Sequence, residues 1–210
     1  LEFGEHFELA KDVNDANAET KKATVYLGSI KPEKAPENLK VASLLIKHGD
    51  FATVYGAGTI EQNADSAIMI TGGSVERIFG GGSGTNGTLT GDSKITVADQ
   101  AVVSGVIYGG GENADVNGDT EIHVSSSFAT TEDTAVGIYG GSQNGTVFCN
   151  TKVHVTTMNT ADPNKTKFYF TDITGYGTDA DGNLADHVKG QTKEVTIQSN
   201  DPDKQSYVYV

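Results

Sequence analysis

Side chains that could ligate a metal ion lie close together in one segment of the sequence, 179–186. Asp179, Asp181, Asn183 and Asp186 supply four oxygen-bearing groups within it. Calcium binds hard oxygen ligands of this kind. The same segment also has the composition of a plain Asp-Gly turn, in which the side chains cap local backbone groups. The turn is the favoured interpretation, and a calcium site is the open alternative.

A second set of polar side chains recurs once in each of four similar segments, each time just before a Ser or Thr. Its members are Asp65, Asp92, Asp119 and Asn150. Stacked carboxylates repel each other unless a cation neutralises them or unless hydrogen bonds hold each one in place. A ladder of side chains that cap backbone N–H groups is the favoured interpretation. Calcium along the ladder is the alternative.

Aromatic side chains form a third recurring set, each after a branched aliphatic residue and before a glycine. The members are Tyr55, Phe79, Tyr108 and Tyr139. If the rings point outward, they form a flat platform for sugar rings. If they point inward or lie against the glycine turn, they are structural, and each ring contact adds about 1 kcal/mol. The structural interpretation is favoured, and the four aromatics remain the candidate ligand-binding residues.

Other reactive side chains give weaker signals. His123 and His154 share an outward position on adjacent segments, but the pattern specifies no third zinc ligand, which favours surface histidines. Cys149 stands where other segments have glycine, which favours a small buried residue on the inward face over a catalytic thiol. Arg77, the only arginine, lies inside a repeated segment. No catalytic residue is predicted, and the chain is not expected to be an enzyme.

Repeated β-strands must position these side chains. From residue 118 to 124, β-branched and polar residues alternate, and this period of two predicts a strand with one buried face. The Ser/Thr positions at 66, 93, 120 and 151 recur at steps of 27, 27 and 31 residues, which indicates a solenoid of stacked turns. The predicted inward ladders are Ile68, Ile95, Ile122 and Val153; Ile70, Val97, Val124 and Val155; and Ser66, Ser93, Thr120 and Thr151.

The repeats divide the chain into two parts. Residues 1–43 are expected to form an irregular N-terminal cap and a first strand with an excursion loop, and 44–210 form the solenoid. Its regular turns occupy 44–155, and 156–210 is a degenerate continuation in which Thr192 is aligned with the Ser/Thr positions and one extra residue follows it. The predicted fold is all-β, a right-handed parallel β-helix of about five turns.

Composition disfavours several classes of partner. The formal net charge of −13 argues against nucleic acid, whose phosphates call for Lys and Arg, and against anionic membrane surfaces. No apolar run approaches the ~20 residues of a membrane-spanning helix, so no direct membrane insertion is expected. A single cysteine rules out an intramolecular disulfide.

The run GGS-x₃-IFGGG…TGDSKITV…VIYGGGENADVNGDTEIHV, residues 72–124, resembles the glycine-rich repeats of large bacterial surface proteins. Such proteins are common in gut anaerobes and are often described as adhesin-like. They resemble the right-handed parallel β-helix class, which includes autotransporter passenger domains and pectin-lyase-like enzymes. The resemblance covers about residues 44–155. It implies display at the cell surface within a larger polypeptide, with host or dietary glycans or host surface proteins as partners.

The expected function is a non-enzymatic, extracellular adhesin-like module for structural display or ligand contact. One alternative is a carbohydrate-binding domain that uses the stacked aromatics. A second is a polysaccharide lyase-like or hydrolase-like enzyme, for which Arg77 would be the catalytic arginine. No cofactor is expected, with calcium as the open alternative.

Overall fold

A computed structural model of the protein describes residues 2–3, 22–28, 40–126, 135–157, 167–199 and 207–209. Every regular element in these residues is a β-strand. No helix among them is long and apolar enough to cross a membrane. Most of the predicted N-terminal cap and its excursion loop lie outside the described residues.

The chain winds between two sheets of seven strands, and successive strands alternate between them. In spatial order, the first sheet contains β1 (Glu2–Phe3), β3 (Val41–Ile46), β5 (Asp65–Ile70), β7 (Ser93–Asp99), β9 (Thr120–Ser126), β11 (Thr151–Thr157) and β15 (Lys193–Ser199). The second contains β2 (Ala23–Tyr26), β4 (Asp50–Tyr55), β6 (Ser74–Phe79), β8 (Val102–Tyr108), β10 (Val136–Tyr139), β12 (Lys167–Thr174) and β16 (Tyr207–Tyr209). A small antiparallel hairpin pairs β13 (Gly177–Thr178) with β14 (Leu184–Ala185).

All strand pairs within the two large sheets are parallel, and their register places equivalent residues of successive turns side by side. Ser93 pairs with Ser66 on one side and with Thr120 on the other, and Thr120 pairs with Thr151. The predicted aliphatic ladders follow in the same register. Every member of the three predicted ladders is at most 1% exposed. The ladders are therefore confirmed.

A third side closes each turn through isolated β-bridges. Leu89 pairs with Val116, Val116 with Val147, and Val147 with Val188. Together with Ala57 these side chains form a second, smaller core, separate from the one between the sheets. The fold is an all-β parallel β-solenoid of about four turns, with partial turns at either end. The right-handed winding stays a prediction.

The last turn differs from the predicted alignment by one residue. Lys193, and not Thr192, pairs with Thr151, so that Val195 pairs with Val153 without an inserted residue. The error arose because Thr192 matches the Ser/Thr positions by residue type. The structure instead places Thr192 beside Asn150, whose Oδ1 accepts its N–H at 3.0 Å.

Candidate functional site

The recurring aromatics form one continuous stack along the solenoid. Neighbouring ring centroids are 4.8–5.2 Å apart and the rings lie within 15° of parallel. Tyr26 adds a first rung that the sequence pattern had not included. Because Tyr55, Phe79 and Tyr108 each have a ring on both faces, no open face remains there for a sugar. Exposure of the four predicted ligand-binding aromatics, Tyr55, Phe79, Tyr108 and Tyr139, is at most 6%.

The geometry therefore favours the structural interpretation of the stack over the ligand platform. Burial and neighbouring carboxylates also fix the chemistry of the phenols. Tyr55 donates its hydroxyl hydrogen to Glu112, and Tyr139 donates to Asp172 Oδ2 at 2.8 Å. Burial, followed by these carboxylate contacts, raises the pKa of both tyrosines well above the usual value. The hydroxyls stay protonated and act as fixed hydrogen-bond donors.

Beside the stack lies a charged cluster that spans three turns. Arg77 Nη2 is 2.5 Å from Glu112 Oε1 and 3.1 Å from Gln143 Oε1, and its guanidinium sits 4.9 Å from the centre of the Phe79 ring. Sequence reasoning missed Glu112 and Gln143 because they lie 35 and 66 residues from Arg77. One feature of the sequence could have drawn attention to Glu112. It places a carboxylate at the position that Ser83 occupies in the preceding turn.

An open groove of about 600 Å³ runs along the first sheet, parallel to the solenoid axis. Three rows of equivalent residues from successive turns line it. One wall is Val41, Asp65, Asp92, Asp119, Asn150 and Thr192; the floor is Ser66, Ser93, Thr120 and Thr151; the other wall is Ala67, Lys94, Glu121, Lys152 and Glu194. The floor is buried, and the walls bring polar groups of both charges to solvent.

The first wall is a hydrogen-bond ladder. Asp65 Oδ1 accepts the backbone N–H of Asp92 at 2.9 Å, Asp92 Oδ1 accepts that of Asp119 at 2.8 Å, and Asp119 Oδ1 accepts that of Asn150 at 2.8 Å. Each side chain thus caps the same position one turn further on. This geometry fits the capping interpretation. Backbone N–H groups stabilise the carboxylates by hydrogen bonding, which is the role that the alternative interpretation gives to calcium.

The second wall alternates in charge. Lys94 Nζ lies 3.2 Å from a Glu121 oxygen, and the other Glu121 oxygen lies 2.5 Å from His123 Nε2. The hydrogen bond from His123, and then the one from Lys94, holds the pKa of Glu121 below its usual range. His123 and His154 stack with their ring centroids 5.4 Å apart. In the described part of the chain, no three His, Cys, Asp or Glu side chains are grouped to hold a metal ion.

The segment proposed for calcium forms the tip of the β13–β14 hairpin. Asp179 Oδ1 accepts the backbone N–H groups of Asp181 and Asn183, both at 2.9 Å. Gly182 has a φ of +83°, a left-handed conformation typical of such turns. Asp186 instead lies 3.6 Å from Lys193 Nζ. The four oxygen-bearing side chains are thus divided between a turn and an ion pair, which fits the turn interpretation.

Cys149 is only half-buried, which differs from the predicted inward position. Its thiol donates to the carbonyl oxygen of Asn117 at 3.1 Å. The glycines at the equivalent places, Gly91 and Gly118, are also partly exposed, because the chain there runs along the surface before each strand of the first sheet.

Fold and surface together define the class of this protein as a parallel β-solenoid with a polar axial groove. Comparison of the chain with family models, curated proteins and solved structures found no match. The resemblance to adhesin-like repeats therefore rests on the repeated motifs themselves.

Proposed function

We propose that this chain is a non-enzymatic, extracellular adhesin-like module whose contact surface is the axial groove. The observation that carries the proposal is that both groove walls repeat at five successive strands of the first sheet. Parallel strands repeat about every 4.8 Å, so the groove offers one set of contacts again and again along a line. Such a surface suits an extended ligand, either a glycan chain or an extended segment of a host surface protein.

The charged side chains of the groove walls indicate which class of ligand would fit. Lys94 and Lys152 present ammonium donors, while Asp92, Glu121 and Glu194 present acceptors along the same groove. A sugar hydroxyl both donates and accepts hydrogen bonds, so a polyhydroxylated chain can satisfy both walls. The net charge of −13 disfavours polyanionic ligands.

The scaffold beneath the groove supports a role in display. Each turn is tied to the next by two parallel sheets, by the Asp ladder and by the aromatic stack. Binding groups carried on strands are held more precisely than groups carried on loops. The groove walls would therefore keep their spacing when an extended ligand pulls on them.

Two alternatives gain less support. Glycan binding through the aromatic stack is disfavoured by the burial of Tyr55, Phe79, Tyr108 and Tyr139, so glycan contact moves to the groove. The enzyme alternative assigned the catalytic role to Arg77, and Arg77 is engaged by Glu112 and Gln143.

The proposal is tested by coating beads with the 210-residue chain and measuring their adhesion to a glycan array and to an immobilised neutral polysaccharide. The double variant Lys94→Glu/Lys152→Glu should lose about tenfold in apparent affinity, which corresponds to about 1.4 kcal/mol. The matched control is Lys47→Glu/Lys189→Glu, which makes the same two charge reversals at exposed residues outside the groove lining. Melting curves establish that all variants are folded.

Equal adhesion by the double variant and the unmodified chain would remove the groove as the contact surface. Depolymerisation of an acidic polysaccharide by the chain, lost on Arg77→Ala, would replace the proposal with the enzyme alternative.

A further inference from the structure

The two ends of the first sheet differ in how well its core is covered. At the end formed by β15, the inward side chains Val195 and Ile197 are 39% and 42% exposed. Their neighbours in β11, Val153 and Val155, are 0% and 1% exposed. No described strand pairs with the outer edge of β15. Among the described residues, the β15 end therefore leaves aliphatic core positions and main-chain groups open.

The opposite end is closed. Leu44 and Ile46 of β3 are 2% and 0% exposed, and β1 pairs with β3 at Leu45 and Ile46. The open end of the first sheet is thus the β15 end. A further parallel strand would cover it with the same kind of contact that already joins neighbouring strands of this sheet.

Charge along the second groove wall indicates what the missing neighbour carries. In register, Lys94 stands beside Glu121, Glu121 beside Lys152, and Lys152 beside Glu194. Glu121 therefore has a lysine on each side, whereas Glu194 has one on a single side. A cation on the next strand would continue the alternation, because opposite charges on directly adjacent strands attract each other.

We propose that the edge of β15 docks a parallel strand from a further β-solenoid turn that lies outside these 210 residues. That strand carries Lys or Arg beside Glu194 and branched aliphatic residues beside Val195 and Ile197. Lys193 does not block the site, because Asp186, 3.6 Å away, and the Gly190 carbonyl, 3.4 Å away, hold its ammonium group within its own turn.

A second copy of this chain fits the site poorly. The strand that a second copy would present is β3, the first long strand of this sheet. Its Ser43 is in register with Ala67 and therefore lies in the row of the second groove wall, where the alternation of charge requires a cation. Part of its outer edge is already paired with β1. The chemistry of the open edge thus points to a turn with a different sequence.

The test uses the full chain and a peptide taken from its own β7, residues 91–99, GDSKITVAD. This peptide has lysine in the charged row, with isoleucine and valine in the inward rows. Fluorescence anisotropy should show saturable binding, about tenfold weaker for the peptide with Lys94→Glu. The chain variant Glu194→Lys should reverse that preference, and Val195→Asp should abolish binding. Glu61→Lys, far from β15 in the sequence and exposed, is the charge control.

Three results would overturn the proposal: no binding at millimolar peptide, equal binding of the two peptides, or an unchanged preference in Glu194→Lys. Light scattering that shows a dimer joined through β15, dissociated by Val195→Asp, would make a second copy the occupant instead. The adhesion test above changes Lys94 and Lys152, whereas this test changes Glu194 and Val195 of the chain, so either proposal can fail alone.

Discussion

At the scale of single residues, a contact between a Ser or Thr hydroxyl and a glycine recurs from turn to turn of this solenoid. Ser93 Oγ donates to the carbonyl oxygen of Gly109 at 2.7 Å, and Thr120 Oγ1 donates to that of Gly140 at 2.6 Å. Each hydroxyl also lies against the glycine of the preceding turn. The Ser or Thr at the start of β5, β7, β9 and β11 and the glycine after each aromatic are therefore two halves of one buried contact.

Gly80 tests this contact. A Cβ at Gly80 would overlap both Ser93 Oγ and the carbonyl oxygen of Gly109. We expect Gly80→Ala to lower the free energy of unfolding by about 3 kcal/mol, measured by urea denaturation, because the backbone must shift to make room. Gly84 is the control: it has a φ of +75° but nothing within 4 Å of its Cβ position, so Gly84→Ala should cost only about 1 kcal/mol. Equal losses of stability in the two variants would mean that these positions need glycine for its backbone conformation and not because a Cβ would overlap neighbouring atoms.

Asp179 offers a pH-dependent test of the turn interpretation. Hydrogen bonds from the Asn183 side chain and backbone hold the pKa of Asp179 below its usual range. Its contribution to stability is therefore present above the ordinary pKa of 3.8 and is lost as the pH falls. A carbon-13 NMR titration should show this depressed pKa, which Asn183→Ala raises towards 3.8 and Leu184→Ala leaves unchanged. Calcium-induced shifts at Asp179, Asp181 and Asp186 together would favour the metal site.

At the scale of elements, the strands of one turn are joined to those of the next by side chains as well as by backbone. Arg77 on β6 reaches Glu112 and Gln143, which belong to the next two turns along the third side. Tyr55 on β4 donates to the same Glu112. A single carboxylate thus connects elements from three turns.

A double-mutant cycle on Arg77→Met and Glu112→Gln measures this connection. The Glu112 side chain is only 20% exposed, so we expect a coupling of about 1 kcal/mol in urea denaturation. The control cycle is Lys94→Met with Glu121→Gln, whose side chains are 55% and 34% exposed. Its coupling should be a few tenths of a kcal/mol and should vanish in 1 M salt. Equal couplings would reduce the Arg77 cluster to an ordinary surface ion pair.

Sequence periodicity predicted the strands of the first sheet because their contacts are made between equivalent positions. Ile95 meets Ile68 and Ile122, so one alignment of the repeats predicts every contact of that kind. The Arg77–Glu112 contact joins positions that are not equivalent, so an alignment shows Glu112 in the row of Ser83 but does not show that Arg77 contacts it. The direction of the aromatic rings also lay outside the pattern, because it depends on how the corner between strand and glycine turn is packed.

At the scale of the whole molecule, stability should be distributed along the solenoid axis. Each turn contacts only the turns beside it. The free energy needed to open a turn locally therefore depends on whether it has one neighbouring turn or two. Ile122 lies in a central turn and is 0% exposed, whereas Val195 lies in the last described strand of its sheet and is 39% exposed. The same truncation should therefore have very different effects at the two places.

Hydrogen exchange can measure this gradient. In the unmodified chain, the backbone amides of β7 and β9 should exchange most slowly and those of β15 faster, because no described strand pairs with the outer edge of β15. Ile122→Ala should lower the free energy of unfolding by about 3 kcal/mol and speed exchange in β7, β9 and β11. Val195→Ala should cost less than about 1 kcal/mol and affect β15 alone. Uniform acceleration by both variants would show a single cooperative unit, and the open β15 edge would then be as firmly held as the centre of the solenoid.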